Sequence, residues 1–140
     1  MIEVTVAEMR QQPVQYALSK IEACPNFDPG YGYQIGIVVK ELRQQFTKFE
    51  QEAYAKYAEL AEKDEEGKPK LETNKYNGME YQTYLFSEEN KKVADEVAKT
   101  TGENKIVLPN RPKIYLSKLV GAKLNPVELV SIDFLLDSEK

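Results

Sequence analysis

With 140 residues, 41% of them hydrophobic and 30% charged, and a net charge of -4, the chain has the make-up of one globular domain, 1–140, not of a disordered segment. The longest apolar runs, IGIVV and the one inside VELVSIDFLL, fall short of the ~20 residues a spanning helix requires, so no membrane partner is expected. The acidic balance argues against broad nucleic-acid binding, which needs a concentrated positive surface.

Histidine is absent, which removes Ser-His-Asp and Cys-His catalysis, the commonest zinc ligand sets and a histidine pH switch. The single cysteine, Cys24, has no partner for an internal disulfide and reads as a structural thiol before Pro25. MIEVTVAEM lacks a basic stretch followed by an apolar block, so the expectation is no signal peptide and a cytoplasmic location.

In chain order, Ile2 to Val6 is β-rich and reads as an edge strand, while Thr5 to Glu8 alternatively fits a capping box. Pro13 suits a first helical turn, and Val14, Ala17, Leu18 and Ile21 then come at amphipathic spacing, predicting a helix to Ala23 or Cys24. CPNFDPGYG breaks it with two prolines and two glycines. Gly30 to Gly32 lacks the further glycine and the preceding buried strand of a dinucleotide fingerprint, and reads as a flexible entrance to the next helix.

From Gly32 to Lys63 the spacing predicts one long helix. Ile35, Val38, Val39, Leu42, Phe46, Phe49, Ala53, Tyr57 and Leu60 recur at gaps of three and four and share one side. The other side carries Lys40, Arg43, Gln44, Gln51, Glu59 and Lys63, with Glu52 to Lys56 and Glu59 to Lys63 spaced for ion pairs. The heptad phase fails at Lys56, which favours a straight packed helix over a coiled coil. DEEGKPK ends the helix near Asp64.

Lys70 to Gly78 reads as a loop or a loose hairpin turning at Asn77-Gly78, with MEYQTYLF as the second arm. Tyr81, Thr83 and Leu85 would share one face of that arm, with Gln82, Tyr84 and Phe86 on the other. Ser87 is an N-cap before Glu88 and Glu89, opening a helix through Val93, Val97 and Ala98 to Gly102. NKIVLP and RPKIYLSKLV read as two apolar segments able to pair. Asn125, Pro126 and Glu128 at N-cap, N1 and N3 open a last helix, VELVSIDFLL, apolar on most of its circumference and so buried on several sides or held in an oligomer interface.

The expected fold class is therefore α+β and predominantly helical: one long central helix, shorter helices and a small β-sheet drawn from the N-terminal segment, MEYQTYLF, NKIVLP and PKIYL. No catalytic, cofactor-binding or metal motif stands out, so no catalytic residue, cofactor or metal ligand is assigned. The acids Glu62, Asp64, Glu65, Glu66 and Glu72 form the densest acidic cluster, without the spacing of a calcium loop. The nine tyrosines are the more telling feature. Those in loops and short strands are suited to protein interfaces, because a ring covers much area at small entropic cost. Tyr31, Tyr33, Tyr81, Tyr84 and Phe134 are the candidate interface residues.

The order of elements, above all PVQYALSKI, the helix end KYAELAEKDEEGKP, SEENKKVADEV, NKIVLP and the capped tail LNPVELVSIDFLLD, resembles small uncharacterised accessory proteins of tailed bacteriophages and prophages. The resemblance implies a phage-encoded protein of the host cell cytoplasm, with no enzyme activity and no catalytic residue carried over. Together these readings predict a non-enzymatic factor that binds a protein of the host, modulating or inhibiting it, or associates with copies of itself. One alternative is a virion assembly or structural component. A second is a carboxylate or metal-dependent hydrolase using the acids between Glu62 and Glu72.

Overall fold

The computed structural model describes residues 1–138, which form two compact units: Met1–Lys48 with the chain from Gly102 onward, and Phe49–Thr101. The fold is α+β and mainly helical.

The first unit opens with strand β1, Ile2–Thr5, antiparallel to β4, Lys105–Leu108, in the register Ile2 to Leu108 and Val4 to Ile106. Alternation puts Ile2, Val4, Ile106 and Leu108 in the core, and Glu3 outside with Lys105, their charged groups 3.2 Å apart. Both readings of the N-terminus hold, one after the other. Thr5 ends the strand and caps helix α1, Val6–Met9, in a reciprocal capping box with Glu8. Helix α2, Gln12–Glu22, has proline in its first turn and buries Val14, Ala17, Leu18 and Ile21, the stripe expected from its spacing.

Helix α3 runs from Pro29 to Leu60 as one element. It therefore starts three residues before the predicted Gly32, and GYG is its first turn, not a flexible entrance. The reason is a cap: the Asp28 carboxylate accepts the Tyr31 amide at 2.9 Å, and Pro29 fills the first helical position, where a missing N–H costs nothing. Ile35, Val38, Val39 and Leu42 are buried along its first part and Ala53 farther on; Phe46, Phe49 and Tyr57 are half-buried. Arg43 ties it to α2, donating to Glu22 and Gln15.

The two apolar segments after Gly102 do not pair with each other. Strand β4 joins the N-terminus, while β5, Ile114–Tyr115, pairs in parallel with β6, Leu136–Asp137. Pro109 and Pro112 lie between them, without amide hydrogens to give to a ladder, and the chain turns at Pro109-Asn110, so each strand finds another partner. The expected single sheet is instead three two-stranded ones among the described residues.

A 3-10 segment, Leu116–Ala122, leads to the last helix, α5, Pro126–Ser131. Its capping box at Asn125 and Glu128 is as predicted, but the helix is short and does not include Phe134. Ser131 turns its hydroxyl onto the Glu128 carbonyl at 2.7 Å, a local bond that competes with helix continuation. The chain then turns so that Ile132 and Leu135 are fully buried, leaving Val127 and Val130 exposed. The expectation of a helix buried on several sides is thereby corrected.

In the second unit, α3 continues to Leu60 and ends a turn before the predicted Asp64. Asn90 donates its side-chain amide to the freed Leu60 carbonyl, and Glu62 has turned to give its N–H to Leu85. Asp64 closes the next turn, accepting the amides of Glu66 and Lys68 on one oxygen at 2.9 Å. Neither ion pair expected on the helix, Glu52 with Lys56 or Glu59 with Lys63, is formed among the described residues; Lys63 donates to the Ala58 carbonyl. Strands β2, Leu71–Tyr76, and β3, Met79–Tyr84, make the hairpin, and helix α4, Glu88–Gly102, comes next with Ser87 accepting the Asn90 amide.

Candidate functional site

The hairpin is the element whose side chains are least used by the fold. Its register pairs Tyr76 with Met79, Asn74 with Tyr81 and Glu72 with Thr83, so these six residues share one face. Tyr76, Met79 and Tyr81 are 64%, 73% and 47% exposed. Asn74 and Thr83 join across the strands at 2.8 Å, fixing the polar end of that face. Asn77 and Gly78, both at positive φ, form the two-residue turn that closes the tip and brings Tyr76 and Met79 side by side.

Tyr84, on the opposite face with Leu71, is half-buried and meets Phe86 edge-on at 6.4 Å, while Phe86 in turn meets Tyr57. It supports the base of the hairpin. Of the two tyrosines predicted here, Tyr81 therefore belongs to the open face and Tyr84 to the packing. Tyr76 and Met79 complete the open face. The signal for them was the Asn77-Gly78 turn, whose two-residue length sets the register.

Tyr31 and Tyr33 lie in the first unit, on helix α3 and not in a loop. Tyr31 is half-buried, stacked on Tyr115 at 6.4 Å with ring planes 7° apart, and its hydroxyl accepts the Tyr115 amide at 2.9 Å. Burial pushes the Tyr31 hydroxyl above its ordinary pKa, while that amide pulls the other way. Lys118 stands over the Tyr31 ring, 5.6 Å from its centre. Tyr33 is 72% exposed. Phe134 sits half-buried in a 3-10 turn, Asp133–Leu135.

Clefts lined by described residues indent the first unit, among them two of about 510 and 300 Å³. The larger of this pair is bordered by Glu41, Gln45, Pro109 and Arg111. Arg111 binds both oxygens of Glu41, at 2.7 and 3.1 Å, which holds the carboxyl below the usual glutamate range and raises the guanidinium further. Both charges are engaged with each other, so neither is poised for proton transfer. The other cleft, about 300 Å³, has walls of Ile21, Phe27, Ile35 and Val39 and brings Cys24 to its edge. No three acids or thiols are grouped to hold a metal ion among the described residues, and Asp64 serves as a turn cap.

No helix among the described residues is long and apolar enough to cross a membrane. Compared with protein-family models, curated proteins and solved structures, the chain has no match in any of the three.

Proposed function

We propose that this chain is a non-enzymatic binding protein that docks on another protein through the Tyr76, Met79 and Tyr81 face of its hairpin. The observation that carries the reading is the convergence of three large, exposed side chains, two aromatic and one aliphatic, on one strand face. Covering such side chains is favourable by about 1.5–3 kcal/mol for each one fully removed from water. The backbone between them is already hydrogen-bonded, so the face is held in shape before any partner arrives, and little ordering cost remains. Tyrosine and methionine are enriched at interface centres because they offer area with a polar or adaptable end.

The resemblance in element order to small phage proteins supports a phage-encoded accessory factor acting on a host protein in the host cytoplasm. Retention of host proteins by a tagged chain and by its Tyr76→Ser, Met79→Ser, Tyr81→Ser variant tests the reading. A specific partner kept by the native chain and lost by the variant, at unchanged helical content, is the expected result. An identical set of proteins on both, or none on either with a strictly monomeric mass, overturns it.

A further inference from the structure

Between Glu103 and Glu128 the chain carries Lys105, Arg111, Lys113, Lys118 and Lys123 and no acidic residue, although its net charge is -4. Lys105 is paired with Glu3 and Arg111 with Glu41. Lys113 and Lys118 form no ion pair among the described residues, are exposed, and each neighbours Tyr31. Lys118 covers the Tyr31 ring, and Lys113 borders the same small depression as Tyr31, Gln34 and Pro112. Leu116, between them in the chain, is 44% exposed. Two cations without an ion pair among the described residues thus neighbour Tyr31, whose ring stacks on Tyr115, while the acid beside it, Asp28, is engaged with the Tyr31 amide.

We infer that this Tyr31 face is a second docking surface, and that its occupant is an acidic segment of a partner protein carrying apolar side chains among its carboxylates. Lys113 and Lys118 pair with the carboxylates, while Tyr31, Tyr115 and Leu116 cover the apolar groups. Charge complementarity sets the sign of the partner. The aromatic arrangement argues for a polypeptide over single-stranded nucleic acid, which needs open ring faces in succession. Tyr31 already has Tyr115 stacked against it and Lys118 over it, and Tyr33, two positions on, points about 200° farther round the helix. The surface lies in a different compact unit from the hairpin, so the inference stands independently of the hairpin reading.

The test is a titration of the full isotope-labelled chain, monitored by amide shifts, with three probes: a synthetic peptide alternating Glu and Leu, its Gln and Leu counterpart, and a single-stranded oligothymidylate. The Glu peptide is expected to move the amides of Lys113 to Lys118 and of Tyr31, and to bind less tightly as salt is raised. Lys113→Glu with Lys118→Glu should weaken it about tenfold or more, because repulsion replaces attraction across the contact. Lys91→Glu with Lys92→Glu, the same charge change on exposed positions of α4, should leave binding unchanged. Equal binding of the Glu and Gln peptides, equal loss in both variants, or preference for the oligothymidylate each overturns the inference.

Discussion

Glu128, only 3% exposed, accepts the Lys20 ammonium at 2.7 Å and the Asn125 amide at 2.9 Å through one oxygen. It closes the cap of α5 and joins that helix to α2. The hydrogen bond from Lys20, then that from the Asn125 amide, hold its pKa below the usual glutamate range, against the opposing effect of burial. The unfolded chain therefore takes up this proton first on acidification. The stabilisation is complete above the unfolded glutamate value, about 4.3, and is lost as pH falls past it and through the lower folded value. Glu128→Gln should lower the thermal midpoint at neutral pH and flatten the decline below about pH 4.3, measured by melting as a function of pH. An unchanged acid limb would show that the pair contributes nothing. The role of Glu128 as a cap was readable from Asn125-Pro126 and its spacing. Its pairing with Lys20 was not, because that contact joins residues far apart in the chain.

At the scale of elements, the hairpin shows how much a turn can specify. Asn77 and Gly78 adopt φ of 52° and 77°, values that asparagine and glycine tolerate better than other residues, and their two-residue length sets every cross-strand pair up to Leu71 with Tyr84. Adding a Cβ at Gly78 meets nothing within 4 Å, so a Gly78→Ala change isolates the conformational cost. That cost is about 1 kcal/mol, and it should appear as faster exchange of the β2 and β3 amides with α4 unaffected. The start of α3 carries the same lesson in reverse. Asp28-Pro29 is a cap and first-turn signal strong enough to carry Gly30 and Gly32 into the helix, which therefore starts earlier than its apolar spacing predicts. At the other end of the chain, the apolar periodicity of VELVSIDFLL overstated α5. Burying Ile132 and Leu135 through a turn and pairing β6 with β5 satisfied the chain better than continuing the helix.

Across the whole molecule the buried mass is uneven. The largest fully buried side chains, among them Ile2, Met9, Leu18, Ile21, Leu42, Ile106 and Leu135, all belong to the first unit. The buried apolar residues of the second are Ala53, Ala61 and Ala94. Apolar burial drives local stability, so the second unit should open with a smaller free energy than the first. Native-state hydrogen exchange should find the amides of Leu71–Tyr84 exchanging well before those of α2 and the β1–β4 pair; equal protection would contradict this. A weakly buried hairpin bearing an exposed Tyr76, Met79 and Tyr81 face also suits a surface that gains its cover from a partner.

What the amino-acid order determined alone was local. The 3.6-residue stripe of α2, the boxes at Thr5 and Asn125, the Asn77-Gly78 turn and the Ser87 cap each involve residues within a few positions, where backbone geometry leaves few choices. What the tertiary structure decided was every choice between distant partners: β4 with the N-terminus, β5 with β6, Tyr84 into the packing while Tyr81 stays open, and Lys118 over the Tyr31 ring. Those outcomes depend on which apolar surfaces are buried together, a property of the assembled core that no short window of sequence contains.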